Sequence, residues 1–176
     1  TQLIDQEKYF ILHAPRQSGK TTGILQLVKT INEEGKYQAL YVNVEPAQAA
    51  RSNFKHALAI ILSRFKDEIG KTCGENEVSS YFEGKRLVSD EMSGDDLQTF
   101  LGWWSKHSPK PIILFIDEID SLVGDTLISV LRQLRAGYTN RPTHFPQAVC
   151  LVGVRDVRDY LIWSDAEQQS ILGGSA

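Results

Sequence analysis

The chain has 176 residues, of which 41% are hydrophobic and 23% are charged, proportions that are typical of a folded globular domain and exclude an intrinsically disordered chain. The length suits one domain with a single buried core. The 19 basic and 22 acidic residues leave a net charge of −3, which excludes a nucleic-acid binder that relies on bulk positive charge.

The first predicted elements are a strand and a helix. Residues 8–13 form an apolar, β-rich run that breaks before Pro15, which predicts a buried strand. Apolar residues at helical spacing then predict a helix over 21–34, and Gly35 is a natural stop. A loop of residues 14–20 is therefore expected between this strand and this helix.

A second strand and a long helix follow. Residues 37–44 read as a strand, and the apolar stripe within 47–69 predicts an amphipathic helix that Gly70 closes. Residues 71–94 contain Gly, Ser, Asn and mixed charge without a clear period, so they predict a surface excursion with room for short ordered pieces.

The next predicted pair is a helix and a fully apolar strand. Asp95 or Asp96 can cap a helix whose apolar stripe is Leu97, Phe100, Leu101 and Trp104. Core packing is the favoured role of the Trp103-Trp104 pair, since no basic belt surrounds it as a nucleic-acid stacking surface would require. Residues 111–116 predict a buried strand that ends abruptly at Asp117.

The last part of the chain repeats the alternation. Asp125 is predicted to cap a helix that ends at Gly137, a loop follows, and residues 148–154 predict a further strand, after which Asp156 can cap a short helix. Alternating apolar strands and helices predict an α/β fold of three layers, with helices on both faces of a mostly parallel sheet. We expect one domain over 1–176.

The segment between the first strand and the first helix carries the strongest chemical signal. It is a GxxxxGK[ST] phosphate loop, or Walker A motif, with Ala14 in place of the first glycine. Backbone N–H groups of such a loop surround phosphate oxygens, and the following helix adds its positive end. The predicted nucleotide-binding residues are Ala14, Pro15, Arg16, Gln17, Ser18, Gly19, Lys20, Thr21 and Thr22.

Within this motif Lys20 is expected to reach the β and γ phosphates, and the Thr21 hydroxyl is expected to ligate Mg²⁺. A second signal is Asp117-Glu118 at the carboxyl end of a buried strand, where open α/β sheets bind ligands. Asp117 fits the Walker B aspartate that holds Mg²⁺, and Glu118 fits the residue that polarises the attacking water. Asp120 is either a third metal-site carboxylate or, by preference, a helix or turn cap.

Taken together, the segments HAPRQSGKTT, LFIDEID and LVGVRDVRDY resemble the nucleotide-binding core of P-loop ATPases of the AAA+ and STAND type, most closely bacterial AAA-like ATP-binding proteins. The resemblance covers nearly the whole chain. It implies a P-loop NTPase core that binds ATP and Mg²⁺. It also implies a helical lid beyond the last strand, for which this chain leaves almost no residues, so we expect it to be a fragment of a longer protein.

The resemblance also suggests roles for residues outside the two motifs. Arg155 occupies the place of a sensor that faces the γ phosphate, although it could instead pair with a neighbouring aspartate. The adenine pocket would involve the segment before the first strand, where Ile4 and Tyr9 lie, and Glu45 could lie near the site. An arginine finger would come from Arg132, Arg135 or Arg141, but each of the three is individually more typical of a surface charge.

These features predict a cytoplasmic Mg-dependent ATPase in which Glu118, Lys20 and Arg155 are catalytic and hydrolysis drives a conformational or assembly change. Two alternatives remain open. A STAND-like nucleotide-gated module with negligible turnover is the first alternative. A P-loop phosphotransferase is the weaker one, because a kinase has no need of Glu118. The expected partners are the nucleotide and a second copy associating through the ATP site. A membrane is not indicated, since no apolar stretch approaches the roughly 20 residues of a span. Nucleic acid is not indicated by this domain either.

Overall fold

The computed structural model describes residue 4 and residues 8–13, 19–51, 53–74 and 76–153. Within them, four strands form one sheet in which all neighbouring strands are parallel, in the order β1-β4-β3-β2. The strands are β1 (Phe10–His13), β2 (Gln38–Asn43), β3 (Ile112–Asp117) and β4 (Ala148–Gly153). The predicted α/β class with a parallel sheet is therefore confirmed.

Helices connect the strands. They are α1 (Lys20–Glu34), α2 (Phe54–Cys73), α3 (Asn76–Phe82), α4 (Asp96–His107) and α5 (Gly124–Gly137), with single 3₁₀ segments at Glu45–Ala50, Ser89–Glu91, Ile119–Ser121 and Tyr138–Asn140. None of the helices in the described ranges is long and apolar enough to cross a membrane.

The sheet separates two apolar clusters. On one face α1 contributes Ile24, Val28 and Ile31, which pack on alternate strand residues such as Phe115. On the other face α2, α4 and α5 pack together on the remaining strand residues, with Leu114 among them. Helices thus cover both faces of the sheet, as in a three-layer α/β/α arrangement.

The first strand is less buried than predicted. Ile11 and Leu12 are each 39% exposed, and His13 is exposed too. The reason is position, because β1 is the last strand on its side of the described sheet and has β4 as its neighbour. An apolar run alone does not distinguish a central strand from an outer one.

The predicted helix over 47–69 is wrong at both ends. Residues Glu45–Ala50 form a 3₁₀ segment, Arg51 follows with φ +48°, and α2 begins only at Phe54, where the Asn53 side chain accepts a hydrogen bond from the His56 N–H. The helix then runs through Gly70 and ends before Gly74, which has φ +104°. A glycine ends a helix where it adopts positive φ, and the sequence does not show which glycine does so.

The predicted caps also differ from the structure. α5 begins at Gly124, so Asp125 lies within its first turn instead of capping it. Asp95 occupies the position before α4 but forms no capping bond, and the Asp96 carboxylate accepts from the Ser93 and Gly94 N–H groups. Residues 71–94, predicted as a surface excursion, contain the end of α2, all of α3 and a 3₁₀ segment.

The tryptophan pair packs with the core as predicted, and the two cysteines are partly or fully buried. Trp104 is fully buried in the larger cluster, and Trp103 is partly buried and stacks on His107 with 4.2 Å between ring centroids. Both cysteines are free thiols. Burial raises the pKa of Cys73 to about 11 and that of Cys150 to about 12, so both stay protonated at neutral pH.

Candidate functional site

The amino end of α1 faces the carboxyl edge of the sheet. Gly19 precedes the helix with φ +75°, a conformation that glycine adopts without the cost of a Cβ, and its carbonyl accepts the Gly23 N–H at 2.9 Å. Among the described residues, no side chain caps this end and its first turn contains no acidic residue. The positive end of the helix dipole therefore favours an anion here.

Thr21 and Asp117 meet at this end of the helix. The Thr21 Oγ1 donates a hydrogen bond to Asp117 Oδ2 at 3.0 Å. Asp117 is the last residue of β3 and is 1% exposed. It faces α1 because strand side chains alternate and Ile113 and Phe115 already lie on that face. The structure thus brings together the two residues predicted to bind the metal.

Tyr41 completes the surroundings of Asp117 and was not predicted. Its hydroxyl donates to Asp117 Oδ2 at 2.8 Å, and the Glu118 N–H donates to Asp117 Oδ1 at 2.9 Å. Burial, followed by the hydrogen bond to Asp117, raises the pKa of Tyr41, so the phenol stays a donor. The alternation of 37–44 indicates which strand residues share a face, but the pairing of β2 with β3 that brings Tyr41 to Asp117 is not visible in the sequence.

Glu118 has an unusual backbone conformation and an unfavourable charge. Its φ of +57° and ψ of +37° lie in the left-handed region, which is costly for a residue with a side chain. Burial raises the pKa of its carboxyl, and the nearby carboxylates of Asp117, Asp120 and Glu45 raise it further, whereas Lys20 lowers it. A carboxyl held in this way is a stronger base than an ordinary surface glutamate.

Lys20 lies against the end of β4. Its Nζ donates to the Gly153 carbonyl at 3.2 Å, and its charge acts on Glu118. Because β4 is between β1 and β3 in the sheet, the ammonium sits at the centre of the carboxyl edge. The predicted phosphate-binding cation and the predicted base therefore share one site.

Asp120 also packs at this edge. It lies in the 3₁₀ segment after β3, and a Cβ on Gly153 would come within 2.9 Å of its Oδ1. The glycine therefore allows the turn after β3 to approach the end of β4. The Asp120 carboxylate also raises the pKa of Glu118.

Several predicted residues lie outside the described part of the chain. They are Ala14, Pro15, Arg16, Gln17 and Ser18 of the phosphate loop, Arg155, and the short helix predicted after Asp156. Thr22 is described and is exposed in the first turn of α1.

The candidates for the adenine pocket have structural contacts. Ile4 is 2% exposed in the α1-side cluster, and its carbonyl accepts from Gln147 Nε2 at 3.0 Å. The Tyr9 hydroxyl donates to the Pro146 carbonyl at 3.4 Å, and its ring meets that of Tyr138 edge to face.

The three candidate finger arginines differ. Arg141 is held in place, because its guanidinium lies 3.5 Å from the Tyr138 ring centroid and its Nε donates to the Tyr138 carbonyl at 2.6 Å. Arg132 and Arg135 are exposed on α5.

The site offers a metal few ligands of its own. In the described ranges no group of three or more His, Cys, Asp and Glu side chains is arranged to hold a metal ion. A hydroxyl and one or two carboxylates suit Mg²⁺, which usually takes its remaining ligands from water and substrate phosphates. The arrangement can thus bind an anion beside a hard cation and place a base next to both.

Comparison with known proteins gives no family assignment. No protein-family model matches the chain, and no curated protein matches it significantly.

Proposed function

We propose that the chain is an ATP-binding domain that hydrolyses ATP with Mg²⁺. The observation that supports it best is the bond between Thr21 and Asp117, which lie 96 positions apart in sequence and 3.0 Å apart in space. A P-loop ATPase needs this pairing, since its loop hydroxyl and its Walker B aspartate serve one metal ion. If the GK[ST] match were accidental, its threonine would not be expected to contact a buried carboxylate at the end of a strand.

The residues at the site fit Mg²⁺. Thr21 and Asp117 supply hard oxygen ligands, and they are the residues that would hold the ion, Asp117 through its water shell. When bound, Mg²⁺ would neutralise charge on the β and γ phosphates and so favour loss of the γ-phosphoryl group.

Phosphate binding falls to the amino end of α1 and the loop before it. The uncapped N–H groups after Gly19 attract the phosphate oxygens, and the Lys20 ammonium exchanges the Gly153 carbonyl for the β and γ phosphates. Residues 14–18 complete the loop in the motif.

Glu118 is the proposed base. Its carboxylate accepts a hydrogen bond from a water molecule and aims that water at the γ phosphorus. As the new P–O bond forms and the bond to the bridging oxygen of ADP breaks, Glu118 takes the proton and ADP leaves with the electron pair. The raised pKa of Glu118 strengthens it as a base for this step.

The position of β4 supports a role for Arg155. β4 lies between β1, which precedes the predicted phosphate loop in the sequence, and β3, which ends in Asp117, so its last residue, Gly153, lies at the site. An arginine two residues later is well placed by sequence to sense the γ phosphate. In the AAA+ or STAND type of protein proposed here, loss of the γ phosphate on hydrolysis would drive a conformational or assembly step.

Phosphate release by Glu118→Gln tests the proposal. We expect ATP affinity within about twofold of wild type, because the amide keeps the shape of the side chain, and turnover at least about 100-fold lower, because the base is lost. Phosphate release and fluorescent-ATP binding are measured separately. Glu83→Gln, the same change at an exposed residue after α3, is the matched control and retains full turnover.

Two other results would redirect the proposal. Tight binding with equally slow turnover in wild type and Glu118→Gln would contradict hydrolysis and favour the nucleotide-gated module. Absence of nucleotide binding by the folded wild type would contradict the site itself.

A further inference from the structure

We propose that Tyr41 is a positioning residue that holds the Asp117 carboxylate toward Thr21 and thereby sets the affinity of the site for Mg²⁺ with nucleotide. This inference rests on the proposed function, since it concerns the same site. Tyr41 belongs to neither sequence motif: it lies on β2, whereas Thr21 is on α1 and Asp117 is on β3.

The pairing of β2 with β3 places the Tyr41 hydroxyl within hydrogen-bonding distance of the Asp117 carboxylate. Tyr41 is on β2 level with Phe115, two residues before the position level with Asp117, and it faces α1 as Asp117 does. Its long side chain spans that distance along the neighbouring strand, and its hydroxyl ends 2.8 Å from Oδ2. A shorter polar side chain at position 41 would not reach.

Asp117 depends on its donors because it is buried. At 1% exposure the carboxylate has little access to water, and an ionised group in such a place must be hydrogen-bonded by the protein. The Glu118 N–H serves Oδ1, while Thr21 and Tyr41 share Oδ2. With the bonds from both sides in place, the plane of the carboxylate is fixed.

A fixed Asp117 in turn orients Thr21. Because Oδ2 accepts the Thr21 proton, the lone pairs of Thr21 Oγ1 point away from the carboxylate and are available to a cation. Without the Tyr41 hydroxyl, Oδ2 loses one of its two side-chain donors in the described residues, and Thr21 alone does not stop the carboxylate from rotating. Mutation of a residue that hydrogen-bonds to a metal ligand without binding the metal itself typically lowers metal affinity by about 10- to 100-fold.

The test compares nucleotide affinity with and without Mg²⁺. Dissociation constants of a fluorescent ATP analogue are measured in excess Mg²⁺ and in EDTA for wild type, Tyr41→Phe and Tyr37→Phe. We expect Tyr41→Phe to weaken binding about tenfold in Mg²⁺ and by less than about twofold in EDTA. Tyr37→Phe makes the same chemical change at a buried tyrosine on the same cluster and should match wild type in both conditions.

A double-mutant cycle with Asp117→Asn separates positioning from general damage. If Tyr41 acts through Asp117, Tyr41→Phe has no further effect on Mg²⁺ dependence in the Asp117→Asn protein. Circular dichroism checks that each variant is folded. A second substitution, Tyr41→Trp, keeps an aromatic ring and should reproduce the loss in Mg²⁺.

Each remaining outcome overturns the inference. Equal losses with and without Mg²⁺ would mean that Tyr41 has only a structural role, and unchanged affinity in Mg²⁺ would mean that it has none here. If wild type binds nucleotide in a Mg²⁺-dependent way and Tyr41→Phe does not differ, only this inference fails. If wild type does not bind nucleotide at all, the proposed function fails and this inference fails with it.

Discussion

At the scale of single residues, Glu118 carries both a conformational and an electrostatic cost. Its backbone is left-handed, and its carboxyl shares a small region with three other carboxylates. Part of this cost is offset by the bond from its N–H to Asp117 Oδ1, by the bond from the Ser121 N–H to its carbonyl, and by the charge of Lys20. Costs of this kind persist where the surrounding structure imposes them, and they concentrate at functional sites.

Glu118→Gln is expected to make the metal-free protein more stable at neutral pH. The folded-state pKa of this carboxyl is raised, so its ionised form opposes folding above that pKa. Removing the charge should therefore raise Tm at pH 7 in EDTA. As pH falls below the unfolded-state pKa, both states bind the proton and the gain should disappear.

Thermal unfolding between pH 4 and pH 8 measures this effect, and Glu83→Gln is again the control, expected to change Tm little at any pH. A gain for Glu118→Gln that grows toward low pH would have the wrong sign and would contradict the assigned charge environment.

At the scale of elements, the start of α4 is stabilised from another helix. The Gln133 side chain on α5 is 6% exposed, and its Oε1 accepts from the N–H groups of Leu97 and Gln98 at 3.0 and 3.2 Å. The Gln133 amide thus caps the start of α4, the role that the sequence predicts for Asp95 or Asp96. No local pattern around residue 95 could have indicated it, because the capping residue lies 36 positions away.

Gln133→Met should therefore destabilise the protein by about 1–3 kcal/mol, since it leaves the buried Leu97 N–H without its acceptor while keeping the side chain's length. Asp95→Ala removes the residue at the expected cap and should cost less than about 0.5 kcal/mol. Urea unfolding gives both values, and hydrogen exchange at Leu97 should be faster in Gln133→Met. Equal costs for the two variants would contradict the assignment.

The same scale shows why glycine is an ambiguous helix signal. Gly35 ends α1 in a left-handed conformation as predicted, whereas α2 passes through Gly70 and stops at Gly74. Gly137 ends α5, but its surroundings show a further reason for glycine, since a Cβ there would clash with the Phe145 ring. Which of these roles a glycine has depends on what packs beside it.

At the scale of the whole molecule, the site joins parts that are far apart in the chain. α1, β3 and β4 contribute Lys20, Asp117 and the Gly153 carbonyl to one edge of the sheet. A ligand that binds these groups binds only the folded chain, and it therefore stabilises the entire fold.

We expect a non-hydrolysable ATP analogue with Mg²⁺, at about 100 times its Kd, to stabilise the protein by about 2.7 kcal/mol. This corresponds to an increase in Tm of about 5–10 °C. Lys20→Ala should remain folded and lose the increase, whereas Lys29→Ala, an exposed lysine on the same helix, should keep it. An unchanged increase in Lys20→Ala would contradict the site.

The sequence by itself determined the α/β class, the four strands, most of the core and the two motifs that meet at the site, because these depend on local hydrophobic periodicity and on fixed spacing. Tertiary structure decided the strand order, the exposure of β1, the cap of α4 by Gln133 and the contact of Tyr41 with Asp117. The physical reason is common to these features. Each depends on which strand or helix becomes a neighbour, and neighbours are chosen by the packing of the whole chain.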